Sequence, residues 1–293
     1  MLTRSKAVLA TLQLVGKPLG SVVLTKLVFL LRHEGELSSV AGFYDFVPYR
    51  FGPYSFALTH DLAALKRHGY AEENDNTWRV GRFVATDRDW IAELAPRIVK
   101  AIRFVLSKRG NLDRNQLLQH VYQEYPWFAS RSELKDLIPD NVPSARKAPS
   151  AVYTVGYQQR TVDAFLAGLM SDGIEAIIDV RSNPVSRNYG FAGRTLAALA
   201  EKVNLEYHHL PELGIPSNER KGLTSAAKYK ALFENYCETI LPVQTIAVEK
   251  IVELVKDKPS ALLCYEADPE YCHRRPLADV VAEKSGLAVI DLS

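Results

Sequence analysis

The half of the chain after residue 150 alternates short apolar runs with stretches whose apolar residues recur three or four positions apart. The runs are typical of buried strands, and the spaced stretches are typical of helices. This alternation predicts an α/β fold, a mostly parallel sheet covered by helices. The predicted strands are 152–155, 176–180, 205–210, 261–264 and 288–292, and the predicted helices are 162–170, 196–203, 229–240, 245–255 and one that begins near 272.

Polar side chains follow four of these strands, at the point where each strand ends. Parallel strands bring their carboxyl ends to one edge of a sheet, and ligands of open α/β sheets bind outside that edge. We therefore expect one ligand site there. The residues predicted to bind substrate or phosphate are Tyr157, Arg160, Arg181, Ser186, Arg187, Glu212, Cys264, Cys272 and Arg274.

The arginines suit bidentate contacts with phosphate, and a helix amino terminus near Cys272 would add backbone donors. Asp179 and Glu266 are predicted to be acid/base groups or to stabilise a developing cation, and His273 could carry a proton. Alternatives stay open at each position. Asp179 could instead form an ion pair with Arg181, both carboxylates could cap backbone amides, and His273 could be a buried hydrogen-bonding residue.

The three cysteines cannot all pair, which favours a reducing cytoplasm. Cys264 closes an apolar strand, where a cysteine behaves as a small apolar residue. Cys272 lies near a predicted helix start, which could lower its pKa and allow nucleophilic or redox chemistry as a secondary possibility. Metal binding by Cys264, Cys272 and His273 is set aside because the ligand set is incomplete. We predict no metal and no cofactor.

Five segments of this half, taken together and in this order, resemble domain-of-unknown-function family 488. They are Tyr-Thr-Val-Gly-Tyr at 153–157, Asp-Val-Arg-Ser-Asn-Pro at 179–184, Leu-Pro-Glu-Leu-Gly at 210–214, Cys-Tyr-Glu at 264–266 and Cys-His-Arg at 272–274. The resemblance covers about 151–293, and Tyr157 stands where the family commonly has His. It implies the α/β fold and a site at the sheet edge, but no particular reaction.

The half before residue 150 follows the order of a winged helix-turn-helix, which predicts an α+β domain of that type. It carries 21 Lys and Arg against 15 Asp and Glu, a balance of +6, whereas the rest of the chain has −4. A basic half favours nucleic-acid contact, for which Lys66, Arg67 and Arg79 are predicted. Scattered surface charge and a wing that binds a partner or a second copy remain alternatives. The predicted elements are helices 7–15, 22–33 and 56–68, an aromatic segment 43–51, a hairpin 70–80, and further helices 90–108 and 114–122.

The composition predicts a winged-helix-like domain over 1–138, a linker over 139–150 that is rich in Pro and Ser, and the α/β domain over 151–293. Lys26 and Arg32 interrupt the most apolar stretch, so we expect no membrane segment and a cytoplasmic protein, possible as a homodimer.

The leading function is an enzyme, a hydrolase that acts on nucleic acid or a nucleotide, with glycosidic-bond cleavage as the reaction considered. The alternative is a non-catalytic regulator that senses a nucleotide and binds DNA. A phosphodiesterase is disfavoured because the sequence has no dense carboxylate cluster for two metal ions.

Overall fold

The computed structural model of this protein describes residues 1–81, 88–216, 218–220 and 222–292. The chain divides into two compact units, Met1–Ser144 and Ala145–Ser293, and the division falls inside the segment 139–150. Within the described ranges, every helix is too short or too polar to cross a bilayer.

The carboxyl-terminal unit contains a sheet of five parallel strands in the order β10-β6-β9-β7-β8. Helices flank the sheet, which confirms the predicted α/β fold for this half. The strands are β6 (Val152–Gly156), β7 (Ala176–Asp179), β8 (Glu206–His209), β9 (Ser260–Cys264) and β10 (Val289–Leu292). The helices are α7 (Val162–Asp172), α8 (Gly193–Lys202), α9 (Ala226–Asn235), α10 (Thr245–Asp257) and α11 (Arg274–Ser285).

The three central strands, β6, β9 and β7, are buried along their whole length. Neighbouring strands cover their two edges and helices cover their faces, so nearly continuous apolar sequence is needed. Their register sets the ends side by side, since Gly156 pairs with Cys264 and Asp179 pairs with Leu263. The carboxyl ends of all three strands therefore meet at one edge.

Two predicted helices of this unit have different limits. The pattern predicts 196–203, but α8 spans Gly193–Lys202. The other is α9. The pattern predicts 229–240, but α9 begins at Ala226 because the Ser225 side chain caps it by accepting a hydrogen bond from the Lys228 amide. The chain then continues as a wider π-helical turn, Tyr236–Ile240, ahead of Pro242.

The amino-terminal unit begins with a helix, a short strand, a second helix, a hairpin, a third helix and a second hairpin, and further helices follow. Its strands β1, β5 and β4 form an antiparallel sheet, and β2 pairs with β3 in a separate hairpin. The elements are α1 (Thr3–Val15), β1 (Leu19–Gly20), α2 (Ser21–His33), β2 (Val47–Tyr49), β3 (Gly52–Tyr54), α3 (Phe56–Arg67), β4 (Ala71–Asn74), β5 (Thr77–Val80), α4 (Pro96–Arg109), α5 (Arg114–Glu124) and α6 (Pro126–Ala129).

The predicted helix 90–108 is wrong at its start. Helix α4 begins at Pro96, and Trp90 lies in the turns before it, where its backbone amide donates to Gln13 Oε1 at 3.0 Å. Proline fits the first turn of a helix, where its missing N–H costs nothing, and it disfavours helical backbone in the residue before it. The apolar spacing continues through this break without a helix.

Lys26 is a buried cation in the core of the amino-terminal unit. It lies on α2 with 2% of its surface exposed, and its Nζ donates to the backbone oxygen of Pro53 at 2.9 Å. Burial, with a smaller repulsion from Arg114, lowers the pKa of Lys26 to about 7. The core thus holds an amine that loses its proton near neutral pH.

Candidate functional site

Two clusters of polar side chains lie at the carboxyl edge of the five-stranded sheet. The first follows β7, and we call it the aspartate–arginine cluster. It consists of Asp179, Arg181, Tyr157 and Tyr207. The second follows β9, and we call it the thiol–carboxyl cluster. It consists of Cys264, Glu266, Cys272, His273 and Arg220.

The aspartate–arginine cluster is built on a bidentate ion pair. Arg181 Nε donates to Asp179 Oδ1 at 2.8 Å, and Nη2 donates to Oδ2 at 2.5 Å. The Tyr207 hydroxyl donates to Oδ2 at 2.6 Å. Arg181 Nη1 donates to the Tyr157 hydroxyl at 3.0 Å and to the backbone oxygen of Phe191 at 2.9 Å. Asp179 is fully buried and Arg181 is 4% exposed, so both charges depend on these partners.

The protonation of this cluster is fixed by the same contacts. Burial opposes the charge of Arg181, but the hydrogen bonds and negative charge of Asp179 outweigh it and raise the pKa of Arg181. Burial and the Asp179 charge also raise the pKa of Tyr207, which keeps its hydroxyl a donor. Three roles were left open for Asp179. The geometry favours the ion pair and the capping of a backbone amide, since the Arg181 N–H donates to Oδ1 at 3.1 Å, over the acid/base group.

The thiol–carboxyl cluster brings its reactive atoms into mutual contact. Cys264 Sγ lies 3.4 Å from Glu266 Oε2 and 3.7 Å from His273 Nδ1. One donor atom from each of Cys264, Cys272 and His273 lies within 4.8 Å of the other two, and all three residues are buried. The loop between β9 and α11 therefore folds back so that residues eight and nine positions apart meet.

The two thiols of this cluster are not equivalent. A hydrogen bond from Cys272 holds the pKa of Cys264 well below its usual range, aided against burial by the charges of His273 and Arg220. Burial, together with the neighbouring Cys264, raises the pKa of Cys272. Burial and the charge of Cys264 also raise the pKa of Glu266. Of the two thiols, Cys264 therefore has the lower pKa.

Arg274 is a structural clamp under the loop that carries Glu266. Its Nη1 donates to the Glu266 backbone oxygen at 2.5 Å, Nη2 to the Ala267 backbone oxygen at 2.9 Å, and Nε to Thr154 Oγ1 at 3.2 Å. The residue is 1% exposed. The structure therefore corrects the predicted phosphate contact, because this guanidinium is occupied by backbone oxygens of the loop.

A polar pocket of about 320 Å³ opens beside both clusters. Arg220 joins the pocket to the second cluster, since its Nη1 lies 3.4 Å from Glu266 Oε1. Of the predicted ligand-binding residues, Tyr157, Arg181, Ser186 and Arg187 lie in its wall. The lining residues are Tyr157, Arg181, Ser182, Asn183, Val185, Ser186, Arg187, Asn188, Arg220 and Tyr265.

Two other residues that were predicted to bind substrate or phosphate lie elsewhere in this unit. Arg160 is half-buried near Gly168 on α7, where burial lowers its pKa. Glu212 is exposed on a short 3-10 turn, Pro211–Leu213. Neither belongs to the described residues that line the pocket.

Among the charged residues that line the pocket in the described part of the chain, Arg220 is the one that the sequence analysis did not predict. It follows β8 within Asn-Glu-Arg-Lys-Gly, a polar run of the same kind as those after the other strands. The prediction for this segment stopped at Gly214. The polar run is visible in the sequence, but it lies so far from the end of β8 that it cannot be distinguished from the polar residues of an ordinary surface loop.

In the amino-terminal unit, two of the three residues predicted to contact nucleic acid form ion pairs at the surface, of which the Arg79 pair is partly buried. Lys66 Nζ lies 2.9 Å from Glu73 Oε2, and Arg79 Nη2 lies 2.7 Å from Glu72 Oε2. Arg67 is exposed in the last turn of α3. Such pairs contribute little stability and can exchange for phosphate.

Comparison with known proteins agrees with the resemblance of the carboxyl-terminal half. Residues 161–281 match the model of a family described as "Domain of unknown function DUF488". This match supports the resemblance predicted for the carboxyl-terminal half. No curated protein and no solved structure matches the chain.

Proposed function

We propose that the carboxyl-terminal unit is a hydrolase that acts on a nucleotide or nucleic acid. The observation that carries this proposal is the 3.4 Å contact between Arg220 Nη1 and Glu266 Oε1, which sets a carboxyl group beside a pocket lined by guanidiniums. A phosphate-bearing ligand and an acid/base group would then meet at one place. Glycosidic-bond cleavage is the reaction that we consider first.

The pocket wall supports binding of a phosphate group. Arg187 is exposed and Arg220 half-buried, so both can offer N–H donors to an anion. Guanidiniums bind phosphate through paired, charge-assisted hydrogen bonds. Ser182 and Asn183 add neutral polar groups. Arg181 contributes charge to the wall, although Asp179 balances it.

Glu266 has the surroundings of a proton donor and acceptor. It is half-buried, and burial raises the pKa of its carboxyl, which moves proton exchange toward neutral pH. In glycosidic cleavage it would protonate the leaving group or activate water while its charge stabilises an oxocarbenium ion. We therefore assign the acid/base role predicted for two carboxylates to Glu266 alone. Asp179 and Arg274 act as positioning residues.

The proposal is tested by incubating the full-length protein with a panel of nucleotides and oligonucleotides and identifying products by mass spectrometry. Glu266→Gln keeps the shape of the side chain but cannot exchange a proton, so we expect turnover to fall about a hundredfold to ten-thousandfold. Arg220→Ala should mainly weaken binding, by about 1.5–3 kcal/mol for a lost charge-assisted hydrogen bond.

Glu253→Gln, at an exposed position of α10 in the same unit, is the matched control and should leave turnover unchanged. Full turnover in Glu266→Gln would remove this residue from the chemistry. Absence of any product with the wild-type protein would favour the regulator instead.

The regulator is kept as a second function because of the element order of the amino-terminal unit. The order α1-β1-α2-β2-β3-α3-β4-β5, in which β1 pairs with β5 of the β4–β5 hairpin, supports a winged-helix-like domain with an additional hairpin between its second and third helices. In a regulator, the pocket would bind a nucleotide and this domain would bind DNA. Glu266→Gln would then change nucleotide affinity and DNA binding together. We also infer a cytoplasmic location from the three free cysteines, and a homodimer stays a prediction.

A further inference from the structure

The thiol–carboxyl cluster contains three side chains that are common ligands of transition metals. Cys264 ends β9, and Cys272 and His273 directly precede α11. Their donor atoms lie within 4.8 Å of one another, and each residue is at most 2% exposed. Burial and convergence together distinguish this group from scattered surface donors.

The measured spacing fits a tetrahedral zinc site. With Zn–S of about 2.3 Å and Zn–N of about 2.0–2.1 Å, the sulfur and nitrogen ligands of one ion stand roughly 3.6 Å apart. Cys264 Sγ and His273 Nδ1 are 3.7 Å apart. An ion could therefore bind both atoms with little movement of either side chain.

The imidazole of His273 is oriented as in metal-binding histidines. Its other nitrogen, Nε2, lies 3.0 Å from the backbone oxygen of Val180. A carbonyl can only accept, so Nε2 carries a proton, and in the neutral imidazole Nδ1 then presents a lone pair toward the thiols. Metal-bound histidines characteristically donate their second ring N–H to a carbonyl or a carboxylate, which fixes the tautomer and the ring.

The surroundings also suit the charge of a divalent ion. Two thiolates and one imidazole around Zn²⁺ form a neutral unit. Glu266 and Arg220 stand beside it as an ion pair at 3.4 Å. Arg274 fastens the loop through two backbone oxygens, so the ligands are held before an ion binds. Thiolate and imidazole together favour zinc over the hard cations Mg²⁺ and Ca²⁺.

We propose that Cys264, Cys272 and His273 bind one zinc ion at the carboxyl edge of the sheet. Glu266 stands next to the position left for a fourth ligand, since its Oε2 is 3.4 Å from Cys264 Sγ. The site is independent of the proposed function, because it follows from the donor atoms and not from the pocket.

The test is equilibrium dialysis of the reduced full-length protein against Zn²⁺, with bound metal measured by atomic emission. Co²⁺ binding is followed by its thiolate charge-transfer band. We expect one ion per chain in the wild type. Cys272→Ser and His273→Gln should each lower the affinity more than tenfold. The matched control, Cys237→Ser, removes an exposed thiol outside the cluster and should bind as the wild type does.

A second measurement on the wild type guards against variants that fail to fold. Bound Zn²⁺ should protect Cys264 and Cys272 from alkylation, read by peptide mass spectrometry, while Cys237 stays reactive. No stoichiometric ion, or equal binding by the Cys272→Ser variant, would overturn the site. Formation of a Cys264–Cys272 disulfide under mild oxidation in a protein that binds no metal would also overturn it. A protein that binds zinc but shows no turnover would contradict the proposed function and leave the site standing.

Discussion

The two clusters at the sheet edge both contain buried polar side chains but differ in the hydrogen bonds that those side chains make. In the aspartate–arginine cluster, both carboxylate oxygens of Asp179 accept from Arg181, and Tyr207 adds a further donor. In the thiol–carboxyl cluster, Cys264 has two long sulfur contacts, to Glu266 and His273. The carboxylate of the first cluster accepts short hydrogen bonds, whereas the Cys264 sulfur of the second cluster makes long, weak contacts.

This difference indicates a division of labour. A fully hydrogen-bonded buried pair is costly to disturb, so it holds the loop after β7 in place and is a poor proton donor. Thiols make weak hydrogen bonds and remain available to a ligand, a metal ion or a proton. Burial alone therefore does not identify the reactive group among several carboxylates and arginines at one edge.

The Asp179→Asn variant tests most directly whether the aspartate–arginine cluster stabilises the fold. The amide leaves Arg181 buried without its counter-charge, and removal of one partner from a buried pair costs about 3–5 kcal/mol. We expect that decrease in the free energy of unfolding, measured by urea denaturation. Glu234→Gln, in an exposed ion pair with Lys230, is the control and should change the free energy by less than about 1 kcal/mol. A loss of similar size in both variants would mean that the cluster is not a stabilising unit.

Lys26 provides a contrast to Arg181. It is also a buried charge, but the contacts described for it include no carboxylate. Its pKa is about 7 in the folded chain, whereas the ordinary value is 10.5. Between these pH values the unfolded chain binds more protons, so stability should rise with pH. Lys26→Met should stabilise the protein by about 1–4 kcal/mol below pH 7 and flatten this rise.

The gain from Lys26→Met should shrink as the pH rises from about 7 toward 10.5, because the lysine of the unfolded chain then loses its proton as well and folding no longer has to deprotonate it. Urea denaturation at several pH values measures both effects. Lys17→Met, at an exposed position, should leave the pH dependence unchanged. A variant that is less stable than the wild type at every pH would show that the hydrogen bond to Pro53 outweighs the cost of the charge.

The smallest effect is expected at the exposed pair Lys66–Glu73. Lys66→Ala should change the free energy of unfolding by less than about 1 kcal/mol, because solvent screens the pair. If the amino-terminal unit binds nucleic acid, the same variant should reduce the salt dependence of binding by about one unit of log–log slope. Titration of full-length protein into labelled duplex and single-stranded DNA at several salt concentrations measures this slope. An unchanged slope would remove Lys66 from any such contact.

The parallel sheet could be predicted because buried strands require apolar runs, as in β6, β7 and β9. The sequence could not order the strands, and β9 lies between β6 and β7. This strand order brings Arg220 into contact with Glu266, so the contact could not be predicted from the sequence. The spacing of Asp179 and Arg181 allowed either a free carboxylate or an ion pair, because the chain leaves the strand at Asp179 and the direction of the Arg181 side chain cannot be predicted from the sequence. The convergence of Cys264 with Cys272 and His273 depended on a loop path that no local pattern specifies.

Gly156 determines how far the loop of Glu266 stands above the sheet. A Cβ atom at this position would overlap the Glu266 backbone oxygen, a neighbour that cannot rotate away. The spacing between strand and loop is therefore set by an absent methyl group. Gly156→Ala would retain every thiol, carboxyl and guanidinium of the site while displacing the loop that carries one of them. A substitution at this position changes the relative positions of the reactive groups while all of them remain present. Replacing a reactive residue cannot separate these two effects, because it removes the group itself.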